Sequence, residues 1–392
     1  MVSLAASMSA GLLFLSANLP SDLREGSNDL TLYRLAGESI LRGEVPYRDF
    51  FIEYPPGSLL AFVPPAISSA GRAGFIDLFS LEMGLALAAT LLLTALGARR
   101  LRGSGAWMLP AATFVPATLV LYPVAVTRYD AVVALSLGFA VFFASLGGRY
   151  LPLAYGSLGF GAAAKFVPAL AVLPLTLTRR GAARGLAVFL IVAALCFVPF
   201  GLLGGRGLVQ SFAYQSGRGL QVESLAASVL MVLRFADGIV FQHGAFEVLG
   251  EGVGAAVALS PVLTLLLLAV TGLVMWREFR RRGGLVVEAF PRHAAALILA
   301  FMLGSRVLSP QYMIWLLPLV PLSAGGVAGV IACVLFVAAC SATTLVFPFH
   351  YGDLLSFRYP GPELLLARNL LLVALWVAML FAPSDGGKKS GP

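Results

Sequence analysis

A succession of apolar runs about as long as a bilayer is thick, with arginines gathered at their ends, limits this chain more than any other feature. A helix needs ~20 mainly apolar residues to cross the hydrocarbon core. Residues 75–97, 107–124, 131–147, 186–203, 253–276, 294–304, 312–322, 327–347 and 364–381 read as spans, and residues 2–19 open the chain as another. Because 2–19 lacks a positive n-region, it reads as an anchor rather than a secretory signal. With 59% hydrophobic and only 12% charged residues, the apolar surface exceeds what a soluble core can absorb. The expected fold is all-α, a polytopic transmembrane helical bundle of about 10–12 membrane helices.

The arginine clusters orient the bundle. Residues 99–102, 179–184 and 277–282, with Lys388 and Lys389 in the tail, belong on the cytoplasmic side by the positive-inside rule. One topology satisfies all of them. Both termini lie inside, and residues 21–57, 126–130, 205–251, 305–311 and 350–362 lie outside. This predicts a multi-pass protein of the plasma membrane, with one membrane domain over 1–383 and a cytoplasmic tail over 384–392. Cys196, Cys333 and Cys340 sit within apolar runs, and His243, His293 and His350 share no ligand spacing. No disulfide framework, metal site or cofactor is therefore expected.

The first outer segment, 21–57, is acidic in a basic protein. It carries Asp22, Glu25, Asp29, Glu38, Glu44, Asp49 and Glu53 against Arg24, Arg34, Arg42 and Arg48. Over 29–41 the apolar positions Leu32, Leu35, Ala36 and Ile40 recur at helical spacing, with Asn28 or Asp29 as N-cap and Gly43 as a stop. The pattern predicts a short amphipathic helix on the membrane surface, followed by an extended proline-rich strap. Residues 58–70, interrupted by Pro64 and Pro65, are too short to span. Residues 151–178 must start and finish inside, yet each half is only ~20 Å of helix, which predicts a half-depth or tilted hairpin. Its tip carries Lys165, the sole lysine before the tail. A lysine facing hydrocarbon costs roughly 2.5–3.5 kcal/mol, so Lys165 is expected to face a polar cavity or an anionic partner. Loss of that charge is expected to leave folding intact.

Five segments in order, NDLTLY, GEVPYRDFFIEYPPG, TRYDAVVAL, GAAAKFVPALAVLPL and RVLSPQYMIWLLPLVPL, resemble the GT-C glycosyltransferases. The likeness is nearest to glycosyltransferase family 87, the bacterial polyprenyl-phosphate-mannose-dependent mannosyltransferases, and more distant to the first mannosyltransferase of GPI-anchor assembly. It implies a GT-C bundle, a polyprenyl-phosphate-linked sugar donor, a lipid or glycan acceptor, and Asp29 as catalytic base by its place in the first outer loop. The eukaryotic relatives carry two acidic residues one apart. Here Asn28-Asp29-Leu30-Thr31 supplies one, so the loop lacks the pair that a metal role would use.

The chemistry asks for the same parts. Inverting transfer from a lipid phosphate to a hydroxyl needs a carboxylate to take the acceptor proton and cations to stabilise the departing phosphate. Asp49 and Glu53 are alternatives to Asp29 as base, or simple ion-pair partners of Arg48 or Arg34. Lys165, Arg128 and Arg306 are the candidate phosphate cations, and Asp130 either orients them or pairs with Arg128 at the head of a helix. Tyr54, Arg218, Gln221, Glu223, Gln311 and Tyr312 offer the amide, carboxylate, guanidinium and aromatic groups that hold sugars. A solvated loop is the plain alternative for 212–224. The rival class is a transporter or lipid flippase, which would place ionisable groups at mid-membrane in broken helices and often shows paired repeats. The carboxylates crowd instead into an outer loop, and a single cavity shared by Asp29 and Lys165 would favour the enzyme. Nothing in the sequence suggests a nucleic-acid partner.

Overall fold

The computed structural model describes residues 1–18, 28–68, 71–178 and 181–382. Asp22, Arg24, Glu25 and the tail with Lys388 and Lys389 lie outside the described residues. The principal elements in chain order are α1 (Val2–Ala17), α2 (Asn28–Leu41), α3 (Val63–Ser68), α4 (Gly71–Arg102), α5 (Met108–Val120), α6 (Asp130–Leu146), α7 (Leu151–Ala164), α8 (Ala182–Gly204), α9 (Arg206–Ser216), α10 (Leu225–Val232), β1 (Ala236–Gln242), β2 (Ala245–Gly250), α11 (Val253–Arg282), α12 (Phe290–Gly304), α13 (Gly326–Thr344) and α14 (Gly361–Phe381).

Six segments among the described residues are long and apolar enough to cross a membrane: Gly71–Arg102, Ala182–Gly204, Val253–Arg282, Val287–Gly304, Gly326–Phe349 and Gly361–Phe381. Shorter apolar helices, including α1, α5 and α6, complete an integral membrane bundle. The six differ in what surrounds them. In α12, 83% of the apolar window is buried in protein, against 6% in α11 and none in α8. α12 is thus the bundle's interior, and α8 and α11 face lipid, since side chains that apolar need no protein cover in hydrocarbon.

The arginines collect at one end, where α4 closes on Arg99, Arg100 and Arg102 and α11 on Arg280, Arg281 and Arg282. The loops that carry the candidate site residues collect at the other. Residues 312–322, expected as a span, instead cross the interior as short turns. Pro318 and Pro321 withhold the N–H groups a continuous helix needs. Past Tyr312 the segment is covered by protein, with Met313, Ile314, Leu316 and Leu317 fully buried. Arg102 caps it by donating to the carbonyls of Leu322 (2.9 Å) and Ala324 (2.7 Å).

The amphipathic helix is α2, with Gly43 at φ 85° beyond its end. Its packed face is Leu30, Tyr33 and Ala36, however, while Leu32 and Leu35 point outward. Tyr33 decides this, because its ring stacks on Phe62 at 4.4 Å between centroids. Residues 205–251 hold more order than a loop. There β1 and β2 pair antiparallel around the two-residue turn His243-Gly244, both at positive φ, as a tight hairpin requires. Residues 220–222 add a third, short edge: Val222 N donates to the Phe246 carbonyl and Val248 N to the Leu220 carbonyl, both at 2.9 Å.

Candidate active site

A cavity of about 720 Å³ opens at the end opposite the arginine clusters. The strap after α2, the head of α6, the hairpin tip, the 212–223 segment, the β-hairpin and residues 309–315 all contribute to its wall.

The hairpin tip forms because Pro168 cannot donate to the carbonyl of Ala164, which ends α7 there and leaves Lys165 extended at φ −162°. The Tyr129 hydroxyl donates to that carbonyl at 3.4 Å. Gly57 of the strap lies against the tip so closely that a Cβ would meet the Ala163–Ala164 peptide at 2.6 Å. Lys165 therefore projects into the cavity from a fixed base. Its Nζ lies 2.7 Å from Asp130 Oδ1 and about 5 Å from the ring centroids of Tyr129, Tyr312 and Trp315. Asp130 is fully buried, and its Oδ1 also accepts from Trp315 Nε1 at 2.6 Å. Both environments foreseen for Lys165, a polar cavity and an anionic partner, are present together.

Asp29 lies on the cavity wall at the head of α2. Its Oδ2 meets Arg128 Nη2 at 2.9 Å, and its Oδ1 accepts from the Tyr54 hydroxyl at 2.8 Å. Burial and the neighbouring Asp29 push the Tyr54 phenol well above its usual range, so it stays a donor. Below them Tyr33, Tyr54, Phe62 and Tyr129 pack edge-to-face and stacked, fixing the floor under the carboxylate. Arg128 thus pairs with Asp29, and its neighbour in sequence, Asp130, pairs with Lys165.

Glu53 meets Arg218 at 2.9 Å, and Gln215 Nε2 lies 3.2 Å from the same oxygen. Burial pushes the Glu53 carboxyl up, against the pull of Arg218. Glu223 is fully buried and accepts from Gln221 Nε2 at 2.6 Å. Burial raises its carboxyl to about 7, opposed by Arg368 and Tyr351. Gln221 is itself clamped, its Oε1 accepting from Leu308 N at 2.9 Å and its Nε2 donating to Ser309 at 3.0 Å. Gln311 and Tyr312 line the wall beside them.

Four candidates lie off the wall: Asp130, buried beneath Lys165, and Arg48, Asp49 and Arg306. Arg48 and Asp49 pair with each other on the exposed strap at 2.8 Å, and Arg48, with the Val45 N–H, holds the Asp49 carboxyl down to about 2. Asp49 also accepts from Val45 N at 2.7 Å, closing a tight turn of the strap. Arg306 braces the wall from behind by donating to the Ser216 carbonyl at 2.7 Å. Sequence reasoning missed Trp315, Tyr129, Tyr351 and the buried pair Arg368–Asn369 on α14. Arg368 donates to the Glu223 carbonyl at 3.0 Å, and Asn369 to Ser228 Oγ at 3.0 Å. An Arg-Asn pair inside an apolar run was the available signal. Among the described residues no group of three or more His, Cys, Asp or Glu side chains is placed to hold a metal ion.

The described residues thus form a helical membrane bundle with a polar cavity at the end away from the arginine clusters. The sequence profile of Glycosyltransferase family 87 matches residues 51–310, and the chain belongs to that family and is a glycosyltransferase. The fold is similar to that of ArnT from Cupriavidus metallidurans in the apo state, at TM-score 0.52 and 15% identity over 97% of this chain and 76% of that one. ArnT bound to undecaprenyl phosphate aligns over the same shares at TM-score 0.50 and 15% identity. No curated protein matches the sequence.

Proposed function

We propose that the cavity transfers a hexose, mannose first among them, from a polyprenyl-phosphate donor to a hydroxyl of a lipid or glycan acceptor. The observation that carries this reading is that Asp29, Arg128, Lys165 and Arg218 line one cavity. The structure of ArnT bound to undecaprenyl phosphate supports a lipid phosphate of that class as the carrier. In the step proposed, the acceptor oxygen bonds to the anomeric carbon and the bond from that carbon to the phosphate oxygen breaks, with inversion. Asp29 takes the acceptor proton, and the phosphate leaves as the polyprenyl monoester.

Arg128 and Lys165 are the cations for that phosphate, and each already holds a carboxylate. A phosphate that engages Arg128 competes with Asp29 for the guanidinium and so frees the carboxylate to meet the acceptor hydroxyl when a donor is present. Glu53, Gln221, Glu223, Gln311 and Tyr312 hold sugar hydroxyls, with Tyr54 orienting the base. Asp130 and Arg306 act as positioning residues, and Arg48 and Asp49 have no part. The cavity faces the extracytoplasmic side of the plasma membrane, the arginine clusters facing inward.

Asp29→Asn tests the base. It keeps the shape and the Tyr54 hydrogen bond but removes basicity, so turnover falls by about 10² or more while binding of undecaprenyl phosphate is kept. Wild-type turnover on a panel of undecaprenyl-phosphate hexoses would remove Asp29 from the mechanism.

A further inference from the structure

A guanidinium with no carboxylate beside it is buried inside a span. α14 reads Leu364-Leu365-Leu366-Ala367-Arg368-Asn369-Leu370, so Arg368 lies seven residues, or ~10 Å of helix, beyond Gly361 at the cavity end of that span. It is 1% exposed, and among the described residues no acidic side chain is within ion-pairing distance of it. Its Nη2 donates to the Glu223 carbonyl at 3.0 Å, while Nε and Nη1 are buried and meet no hydrogen-bond partner among the described residues. Charged side chains inside spans are costly, and they persist where they pair with other charges or backbone carbonyls and serve a site.

The carboxylate whose charge acts on Arg368 is Glu223, a residue of the cavity wall that is 3% exposed. Its Oε2 accepts from Gln221 Nε2, so the side chain belongs to the wall while its backbone rests on Arg368. Asn369, the next residue of the same span, donates to the Ser224 carbonyl at 3.3 Å and to Ser228 Oγ at 3.0 Å. Two adjacent residues of α14 therefore hold the turn that presents Glu223. The other groups acting on the carboxyl are Tyr351, which hydrogen-bonds it, and Arg128 and Tyr312 from the wall. Burial favours the neutral acid, and Arg368 opposes burial more than Tyr351 or Arg128 does. The state matters to a ligand, because a carboxylate accepts charge-assisted hydrogen bonds from hydroxyls and the neutral acid does not.

We propose that Arg368 is a positioning residue that acts through Glu223: it holds the turn, and from inside the span it supplies the positive charge that lets Glu223 meet a sugar hydroxyl as a carboxylate. This rests on the sugar contact given to Glu223 above, and adds what sets the state of that contact. The guanidinium does both with different parts, one N–H fixing the Glu223 backbone and the net charge acting on the side chain.

The test uses the full chain in lipid nanodiscs. Infrared difference spectra against pH follow the protonated carboxyl band of Glu223, identified by its loss in Glu223→Gln, and undecaprenyl-phosphate mannose is the binding probe. Arg368→Gln keeps an N–H donor but removes the charge, so the pH at which Glu223 ionises rises by about one unit or more. Binding of the probe then falls about fivefold at pH 7 and recovers at pH 9, a recovery that a displaced turn alone would not show. Arg368→Lys keeps the charge and with it the Glu223 transition, and it carries the test alone where Arg368→Gln does not fold. Asn369→Ala loosens the same turn without a change of charge and leaves the transition in place. An unmoved transition in Arg368→Gln, a transition raised by a full unit in Arg368→Lys, or an equal shift in Asn369→Ala would overturn the role of Arg368 and leave the sugar contact standing. Binding of undecaprenyl-phosphate mannose by Glu223→Gln that matches the unsubstituted protein at pH 9 would overturn the sugar contact, and the part of Arg368 with it.

Discussion

Lys165→Met separates the two things that Lys165 does. Read from sequence, the substitution removes a costly intramembrane charge and leaves folding intact. The structure reverses that expectation, because the ammonium is the counter-ion of Asp130, which is 1% exposed and keeps only Trp315 Nε1 once Lys165 is gone. Its other oxygen, Oδ2, has no hydrogen-bond partner among the described residues. Breaking a buried pair from one side costs about 3–5 kcal/mol. The surviving indole bond and the opening of Lys165 to the cavity reduce this, so a loss of roughly 3 kcal/mol is expected. Lys165→Met/Asp130→Asn removes both charges and returns to within about 1 kcal/mol of the starting protein, which makes it roughly 2 kcal/mol more stable than Lys165→Met alone. Unfolding followed in mixed micelles measures all four corners. A single variant as stable as the unsubstituted protein would refute the argument that Asp130 is a buried charge held by Lys165. The double variant then isolates function: folded, it binds undecaprenyl phosphate about tenfold more weakly if Lys165 meets the phosphate. Unchanged binding would leave Lys165 a structural counter-ion.

Two further outcomes follow from the same geometry. Glu223, with its carboxyl raised to about 7, binds a proton in the folded protein that the unfolded chain releases near 4.5, so its contribution to stability declines as pH rises from about 4.5 to 7. Glu223→Gln should therefore be stabilising by roughly 3 kcal/mol at pH 8 relative to its effect at pH 4, and should erase the inflection near pH 7 in transfer activity; an unchanged pH profile would remove Glu223 from sugar binding. For topology, Arg48→Cys, on the exposed strap, should react with an impermeant thiol reagent added outside intact cells, whereas Ser104→Cys and Gly283→Cys, at the arginine-rich end, should react only after permeabilisation. Labelling of either of the latter two from outside would invert the map.

What could be read from the chain divides along a physical line. The bundle, the interrupted segment over 58–70 and the hairpin tip at Lys165 were legible because length, hydropathy and proline positions are local quantities that a bilayer turns into geometry. Residues 312–322 misled for a related reason: hydropathy cannot distinguish a run that faces lipid from one that is surrounded by protein, and only Pro318 and Pro321 hinted that its backbone was broken. Which side of α2 packs on the bundle was not legible, because leucines mark a lipid-facing side as readily as a core side. The ring of Tyr33, which belongs to neither pattern, selects the packed side. The β-hairpin was signalled by Val240-Phe241 and Phe246-Glu247-Val248 around His243-Gly244, but two strands among so many helices lie under the periodicity of the whole.

The pairing within the site was not legible, and the reason is that charge partners are chosen by the fold. Arg128 and Asp130 are neighbours in sequence, yet each turns to a different partner, because α6 begins at Asp130 and the residue two before it still lies in the preceding turn. Lys165 reaches Asp130 across 35 residues, Arg218 reaches Glu53 across 165, and Trp315 reaches Asp130 across 185. Local reasoning offered Arg48 to Asp49 and obtained an exposed pair with no place in the cavity. The longer-range pairs are the ones that stand at the cavity. Each ties together segments from different spans, so the carboxylate and its cation meet only when the bundle is assembled. A site of this kind keeps its charges balanced while empty, and a lipid phosphate must compete with Asp29 for Arg128 and with Asp130 for Lys165. Asp29 is the partner that can be released, being on the cavity wall and part exposed. Asp130, buried beneath Lys165 with the indole of Trp315 upon it, cannot follow. On the proposed mechanism the two pairs therefore divide the work: one fixes the cation at the hairpin tip, and the other releases the Asp29 carboxylate when a donor phosphate engages Arg128.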